Sequence, residues 1–313
     1  MKLQHDFHHA SGPTLDECHL IAYRSDARWD FDAESGESIV VQLHRGQPHV
    51  LLRQQGELTG LWRSLEGSVY VSYLLGGIYR NSPAPRRDTW KLHHFDAMLH
   101  GIWGLDEEHV FAWGTRSARP FMVMGGASGW REIPAPGHVL GMHGFAEDVV
   151  VAVGRGGLVA RWDGSAWSTM ASPTAEPLAS VFVVSADEMY ACSTNGVVLE
   201  GTVYGWSRVV ERAPMLNCVA KHGQTVWVGS TVAGLHRLES NQLILADASI
   251  TARAFDVRGA PLVSTPARVV EIADDGAPLN ELTRPELIEA TDHLTPTWLT
   301  GRPPEGPEGD PQP

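Results

Sequence analysis

The feature that most constrains this chain is a repeat of about 40 residues. A short apolar run opens each repeat, and the starts of successive runs are separated by 40, 41, 40, 40, 37 and 36 residues. The seven runs occupy residues 21–23, 61–63, 102–104, 142–144, 182–184, 219–221 and 255–257. A period this constant over seven units indicates a repeat architecture, in which each unit packs against its neighbours.

The middle repeats each contain four short runs of β-forming residues separated by turn residues. Residues 144–167 show the pattern: a run at 149–153 is followed by a Gly-rich turn, a second run, the turn Asp163-Gly164 and Trp167. A tryptophan ends four consecutive repeats at a spacing of 40, 37 and 39 residues, as Trp90, Trp130, Trp167 and Trp206. None of the runs keeps a helical period beyond two turns, so we interpret them as strands. Four strands per 40 residues is typical of a propeller blade.

The sequence therefore predicts an all-β fold, a single seven-bladed β-propeller with four strands per blade. A six-bladed ring is the alternative if the irregular first unit is not a blade. The predicted division is an N-terminal arm at 1–17, blades at 18–57, 58–97, 98–137, 138–176, 177–213, 214–249 and 250–282, and a C-terminal tail at 283–313.

The two ends of the chain are the least regular parts of the repeat. In the first unit we expect strands at 19–24, 28–32, 38–44 and 49–53, whereas the last unit shows three clear strands. Either residues 2–7 or residues 295–300 could supply a closing strand, and adjacency to the repeats favours the N-terminal segment. We expect a short helix within 283–294, and a disordered end at 301–313 because that segment is rich in Pro, Gly and acid.

One repeat carries a recognisable motif. Residues 157–167, G-L-V-A-R-W-D-G-S-A-W, resemble bacterial propeller repeats of the form G-x-hydrophobic-x-R-W/Y-D-G-x-x-W. Such repeats are similar to those of photosystem-assembly-factor-like and sialidase-like (BNR) propellers. The resemblance covers residues 58–240 and implies the propeller fold, but it implies no activity. The complete sialidase box S-x-D-x-G-x-x-W is absent from the sequence.

Charge and cysteine content narrow the class of protein. The net charge of −13, from 37 acidic and 24 basic side chains, disfavours binding to nucleic acid or to an anionic membrane. It fits an ordinary soluble protein, or one whose partner is basic. The three cysteines form no C-x-x-C pair, so we expect reduced thiols and neither a disulfide framework nor a zinc knuckle. We find no signal peptide and no membrane-length apolar stretch, which predicts a cytoplasmic protein unless a signal-independent machine exports it.

Histidines are the first candidates for chemistry. His100 and His143 lie near the openings of neighbouring units, and two histidines on adjacent inner strands could share a metal ion. No H-x-H or H-E-x-x-H motif supports such a site. We therefore predict no metal site and no cofactor, with these two residues as the weak candidates. The cluster of His5, His8 and His9 near the N-terminus is expected to have no metal role.

Acidic and basic residues give no catalytic constellation. Acidic pairs at 106–108, 147–148 and 187–188 recur at one place in successive repeats, which favours a structural role in turns. A sialidase-type enzyme needs three arginines that converge on a carboxylate of the substrate. The candidates here are Arg24, Arg63 and Arg253. The Tyr-Glu pair and the intact Asp boxes of such an enzyme are missing here. No G-x-S-x-G motif is present, and we predict no catalytic residues.

These observations lead to a non-catalytic scaffold that binds another protein, with the oligomeric state left open. The predicted contact residues on the loops around the channel are Trp62, Arg63, Trp103, His143, Arg86 and Arg87. A narrower hypothesis is a bacterial immunity or adaptor protein that neutralises a basic toxin. The alternatives are a hydrolase or lyase acting on a glycan or small molecule at the channel mouth, and an exported effector or component of a contractile injection machine. The enzyme alternative predicts a deep central pocket in which His, Arg or carboxylate groups with shifted pKa values converge.

Overall fold

The computed structural model describes residues 3–26, 36–82, 90–291 and 293. This part of the chain contains seven four-stranded antiparallel sheets, each built from four strands that are consecutive in sequence. Blade 1 consists of β1 Leu3–Ser11, β2 His19–Asp26, β3 Glu37–His44 and β4 Gln47–Gln55, and blade 2 of β5 Leu58–Arg63, β6 Val69–Tyr73, β7 Gly77–Asn81 and β8 Trp90–His94. Blade 3 consists of β9 Met98–Gly104, β10 Val110–Arg116, β11 Arg119–Gly126 and β12 Gly129–Glu132. Blade 4 consists of β13 Val139–Ala146, β14 Val149–Gly154, β15 Val159–Trp162 and β16 Trp167–Thr169.

Blades 5 to 7 follow the same order and lead into the one α-helix of the described residues. Blade 5 consists of β17 Leu178–Ser185, β18 Glu188–Ser193, β19 Val198–Thr202 and β20 Gly205–Val210. Blade 6 consists of β21 Cys218–His222, β22 Thr225–Ser230, β23 Gly234–Glu239 and β24 Gln242–Asp247. Blade 7 consists of β25 Ala254–Asp256, β26 Leu262–Ser264, β27 Arg268–Ile272 and β28 Pro278–Thr283. The helix α1, Arg284–Thr291, lies within the segment 283–294 where the sequence predicts a helix. Short 3-10 turns occur at Leu15–Glu17 and Arg155–Gly157.

The seven sheets form a closed ring. The first strand of each blade is the innermost one, and each first strand contacts the first strand of the next blade; β25 of the last blade contacts β1 of the first. The chain is therefore a seven-bladed β-propeller, as the repeat predicts, and the six-bladed alternative is wrong.

The first blade begins earlier than the sequence predicts. β1 pairs with β2 over its whole length, so the segment for which the sequence predicts an N-terminal arm contains the innermost strand of blade 1. The apolar run at 21–23 consequently lies in the second strand and not in the first. The error arises because β1, with the sequence LQHDFHHAS, is polar although His5 and His8 are buried. The predicted strand at 28–32 lies outside the described residues.

The ring closes without exchange of strands between the chain ends. Blade 7 has four strands of its own, because β28 supplies the strand that the sequence did not show, and the alternative closing segment at 295–300 lies outside the described residues. Hydrogen bonds join the first and last blades: Gly12 N donates to Asp256 Oδ2 at 2.9 Å, and Leu15 N donates to Glu271 Oε2 at 3.0 Å. Leu287 of α1 is fully buried in the cluster of apolar side chains at this seam.

The apolar core lies between the blades. Each blade packs its two faces against its neighbours, and the tryptophans near the ends of the repeats take part in this packing. Trp90 donates its Nε1 proton to the carbonyl of Leu51 in blade 1 at 3.0 Å, and the ring of Trp167 lies 5.9 Å from Phe111 in blade 3. A large ring suits this place because the twist of each sheet opens a gap between the outer parts of adjacent blades.

No helix within the described ranges has the length and apolar character needed to cross a membrane.

Candidate functional site

A central channel runs between the first strands of the seven blades. It contains a cavity of about 510 Å³, which is lined by residues of all seven blades. Most of its lining comes from the innermost strands, and Trp113 of a second strand and residues of the adjoining turns complete it. A cavity of this size between strands of all seven blades is a natural place to look for a ligand.

Four first strands place an aromatic ring at the same position in the channel wall. Trp62, Trp103, His143 and Phe182 each occupy the equivalent register position, opposite Tyr70, Phe111, Val151 and Tyr190 of their second strands. The ring centroids of Trp103 and His143 are 5.6 Å apart, and those of His143 and Phe182 are 4.4 Å apart in a stacked arrangement. We call these four residues the aromatic arc.

Glycines in the next blade make room for the two tryptophans. A Cβ built on Gly104 would lie 2.9 Å from the indole of Trp62, and one on Gly144 would lie 2.8 Å from that of Trp103. Trp62 is consequently buried, with 6% of its surface exposed. The tryptophans therefore hold adjacent blades together as well as lining the channel. Their contact with a partner protein stays a prediction.

His143 is an uncharged hydrogen-bond donor in this wall. Its Nδ1 accepts the backbone N–H of Val183 at 3.1 Å, so the proton of the neutral ring is on Nε2. Burial, together with the positive charge of Arg258, lowers the pKa of His143 to about 4. At neutral pH the ring therefore carries no charge and offers an N–H group.

Blade 7 contributes charged groups to the channel wall. Asp256 is paired with Arg258, whose Nε lies 3.2 Å from Asp256 Oδ2, and the guanidinium carbon of Arg258 lies 5.9 Å from the ring centroid of Trp62. Burial raises the pKa of Asp256, although Arg258 and the N–H of Gly12 oppose this effect. Arg253 donates from Nη1 to the carbonyl of Phe7 at 3.2 Å, and burial lowers its pKa.

The structure brings together only some of the residues that the sequence singled out. Arg63 lies at the end of β5 beside Arg258, and burial lowers its pKa. Arg24 is fully buried in the second strand of blade 1 with its Nε bonded to Glu37 at 3.0 Å, so it does not join Arg63 and Arg253. The predicted contact residues Arg86 and Arg87 lie outside the described residues.

The two weak metal candidates do not meet. His100 is a bulged residue near the start of β9 and contacts Thr115 Oγ1 at 3.2 Å, whereas the residue equivalent to His143 in that strand is Trp103. An offset of three residues corresponds to about 10 Å along a strand. Within the residues that the structure describes, no three His, Cys, Asp or Glu side chains are grouped closely enough to hold a metal ion.

The N-terminal histidines are part of the ring and not of a loose arm. His8 is the bulged residue of β1 and stacks on Tyr23 at 5.9 Å, and burial lowers its pKa to about 3. His9 lines the channel, and burial lowers its pKa to about 4. All three cysteines are free and buried, as expected, and burial raises the pKa of Cys18 and Cys192 to about 12.

The two faces of the ring differ in charge. Since consecutive strands are antiparallel, the turns between strands 1 and 2 and between strands 3 and 4 of every blade lie on one face, which we call the acidic face. In the described turns of this face the basic residues are Arg45 and Arg258. The acidic residues there are Asp16, Glu17, Glu66, Asp106, Glu107, Glu108, Glu147, Asp148, Asp163, Asp187, Asp274 and Asp275.

The opposite face is formed by the turns between strands 2 and 3 and by the connections between blades. Its described turns and connections carry both signs of charge, with acidic residues Glu57, Asp96, Glu176 and Glu211 and basic residues Arg155, Arg212 and Arg253. Among the described turns and connections, acidic residues therefore outnumber basic ones most strongly on the acidic face.

Some of the acidic residues also shape the turns. Oδ1 of Asp106 accepts the backbone N–H groups of Glu108 at 2.8 Å and His109 at 2.9 Å, as expected of a turn residue. Glu147 of the next blade reaches His109 Nε2 at 3.3 Å. Asp106 thus has a structural role in its turn.

Three large apolar side chains project from the acidic face. Leu65 is 87% exposed in the first turn of blade 2, and Tyr204 is 88% exposed in a turn of blade 5. Phe145 is 60% exposed because it is the extra residue of a bulge near the end of β13. Sequence reasoning missed all three, since an isolated apolar residue in a turn has no periodic signal.

Comparison with known proteins shows the architecture. No family model matches the chain, and no curated protein matches it. The structure is similar to virginiamycin B lyase from Staphylococcus aureus, with a TM-score of 0.59 and 12% identity over 72% of this chain and 84% of that one. It is similar to the WD40 β-propeller domain of Doa1, with a TM-score of 0.64 and 10% identity over 85% of this chain and 92% of that one.

A structure of streptogramin B lyase gives a similar result, with a TM-score of 0.57 and 11% identity over 85% of this chain and 96% of that one. The likeness shows the fold. At these identities the likeness does not decide between a lyase and a WD40 domain, so the function of this chain has to be argued from its own residues.

Proposed function

We propose that this protein is a non-catalytic scaffold that binds another, basic protein through its acidic face. The observation that carries the proposal is the exposure of Leu65, Phe145 and Tyr204 on the face that concentrates the carboxylates. Large apolar side chains that remain exposed among charged residues are typical of protein interaction surfaces.

The charge of this face selects the class of partner. Carboxylates around the channel mouth attract a basic surface and speed its association, while they repel nucleic acid and acidic membrane lipids. The exposed apolar residues would then add apolar contacts to this electrostatic attraction, which weakens as salt is added. The propeller fold that this chain shares with the WD40 domain of Doa1 supports a protein-binding role.

A narrower form of the proposal concerns the biological setting. A bacterial immunity or adaptor protein that neutralises a basic toxin in the cytoplasm would need such a face, and so would an exported component of an injection machine. The negative charge supports both forms. Fractionation of the host cell distinguishes them, and a gene for a basic toxin domain beside the gene for this protein would favour the first.

The test of the proposal is affinity capture from host lysate with three forms of the protein. The wild type should retain a stoichiometric basic protein at low salt and lose most of it at high salt. A variant with L65A, F145A and Y204A should lose this protein, whereas a control with L75A and V232A should keep it, because Leu75 and Val232 are exposed apolar residues on the opposite face. Equal capture by all three forms would contradict the proposal.

The enzyme alternative has an observation of its own. The channel holds His143 and Asp256, whose pKa values burial shifts, beside Arg258, which is the kind of convergence that an enzyme would need. Each group, however, already has a structural partner in Val183, Gly12 or Arg258. Turnover in a screen of glycans and cyclic small molecules that D256N abolishes, while capture of the partner persists, would favour the enzyme.

A further inference from the structure

We propose that the outer edge of blade 6 pairs with the same edge of a second copy of this chain. The pairing strand is β24, which is the fourth and outermost strand of its blade. It lies on the rim of the ring, outside the channel. The inference does not depend on the proposed function.

The outer strands of the other blades are protected against pairing. An edge strand leaves main-chain N–H and C=O groups unpaired, and proteins guard such edges with proline, with charged side chains or with very short strands. Of the seven outer strands that the structure describes, six carry such a feature. Pro48 lies in β4, Lys91 in β8, Arg131 in β12, Arg208 in β20 and Pro278 in β28, and β16 has only three residues.

β24 has none of these features in its middle. Its sequence is QLILAD, and its one charged residue, Asp247, is the last. Ile244 is 37% exposed and Leu245 is 52% exposed, and as neighbours in a strand they point to opposite sides of the blade. Among the described residues they are the one adjacent pair of exposed large apolar side chains in an outer strand. This edge is therefore apolar on both sides.

The turn before β24 determines which main-chain groups face outward. Residues 240–241 both have positive φ, 48° and 63°, and form a two-residue turn across which Glu239 pairs with Gln242. The pair that flanks such a turn is hydrogen-bonded, and hydrogen-bonded and non-hydrogen-bonded pairs alternate along an antiparallel ladder. The N–H and C=O groups of Leu243 and Leu245 therefore point away from β23. A bulge at Ala246 ends this regular stretch.

These groups allow a symmetric antiparallel pairing centred on Ile244. Leu243 of one copy then lies opposite Leu245 of the other and exchanges both hydrogen bonds with it, which gives four bonds across the interface. Ile244 faces Ile244 of the second copy in the non-hydrogen-bonded pair, where opposed side chains are closest. Every opposed pair is apolar, so the strand is complementary to itself.

The charge distribution also favours this place for contact between two copies. Each copy has a net charge of −13, so two copies repel one another over most of their surface. In the pairing centred on Ile244, Asp247 lies toward the turn 240–241 of the second copy, whose Ser and Asn side chains are neutral. No like charges of the paired strands oppose each other. Added salt should strengthen this dimer, because it screens the general repulsion.

An interface built on one short strand is small, so we expect a dissociation constant of about 10–100 µM. Sedimentation of the purified chain over a range of concentrations measures it. I244K and I244E should each weaken association by about tenfold or more, because like charges then face each other at the centre of the pairing. An equimolar mixture of I244K and I244E should dimerise again, because the introduced lysine of one copy faces the introduced glutamate of the other.

L92K and L92E are the matched controls. Leu92 is 43% exposed in the middle of β8, another outer strand, and both variants should associate like the wild type. L245P is a second test, because proline removes an N–H that points outward and leaves the bonds to β23 intact. It should also weaken association by about tenfold or more.

A wild type that stays monomeric at about 300 µM would overturn the proposal, and this is the result expected if the edge instead receives a strand of another protein. Dimers that persist in folded I244K or L245P would overturn it as well. Two folded variants, I244K and I244E, that fail to associate when mixed would exclude the pairing about Ile244. If neither variant at Ile244 folds, L245P alone decides, and unchanged association in L245P would contradict the proposal.

Discussion

The indole of Trp103 lies so close to the backbone of Gly144 that a Cβ on Gly144 would stand 2.8 Å from the ring. We predict that G144A lowers the free energy of unfolding by about 1–3 kcal/mol, since the ring is rigid and must move or strain the backbone. Chemical denaturation measures the change. The matched control is G205A, because Gly205 has no atom within 4 Å of its would-be Cβ. A loss in G205A as large as in G144A would show that the contact with Trp103 is not the cause.

The hydrogen bond from Trp90 to Leu51 joins blades 1 and 2. We predict that W90F destabilises the protein by about 1 kcal/mol more than W167F does. Both substitutions replace a packed indole with a smaller phenyl ring. The indole N–H of Trp167 has no partner among the described residues, so W167F breaks no hydrogen bond. Denaturation of the two variants under the same conditions gives the difference, and equal losses would assign no net role to the bond.

The seam between the first and last blades depends on α1. We predict that L287A lowers the free energy of unfolding by about 2–5 kcal/mol, because Leu287 is fully buried against β1 and β27 residues such as Phe7 and Val269. L279A serves as the control, since Leu279 in β28 is 60% exposed. If L287A were as stable as L279A, the helix would not contribute to ring closure.

Buried histidines predict loss of stability in acid. Burial lowers the pKa of His8 to about 3 and that of His19 to about 4, from 6.5. Between about pH 4 and 6.5 each of these histidines is protonated in the unfolded chain and neutral in the folded chain. The stability that depends on them is therefore complete above pH 6.5 and falls as the pH decreases. The expected slope is about 1.4 kcal/mol per pH unit for each histidine.

The variant H19Q should therefore show a flatter loss of stability between pH 6.5 and 4 than the wild type, as measured by denaturation at a series of pH values. Carboxylates also titrate in this range, and the comparison removes their common contribution. The exposed His94 gives the control H94Q, which should keep the slope of the wild type. A wild-type slope in H19Q would contradict the assignment.

The repeat made the ring predictable, whereas contacts between distant segments were not. The period and the turn residues predicted seven blades, and the acids at 106–108 and 147–148 lie in turns as predicted, as does Asp187, whereas Glu188 begins β18. β1 was missed because its sequence is polar, although its histidines are buried, His8 against Tyr23 and His5 against Thr291 of α1. The sequence places Trp62, Trp103 and His143 at loops around the channel, whereas they lie within the first strands β5, β9 and β13; their contact with a partner stays a prediction.

The charged side of the channel could not be read in the same way. Asp256 and Arg258 belong to the unit with the shortest spacing, where alignment with the other repeats is loose. The separation of His100 from His143 depends on register and on a bulge in β9, neither of which is encoded in the spacing of the two residues. The exposure of Phe145 likewise follows from a bulge.

The most direct test of the acidic face is hydrogen exchange of the protein with and without its captured partner. The account predicts slower exchange in the turns at 64–68, 105–109, 147–148 and 203–204 of the acidic face. The turns at 74–76 and 231–233 of the opposite face should exchange at the same rate in both samples. Protection confined to those opposite turns, with the acidic face unchanged, would contradict the proposed function.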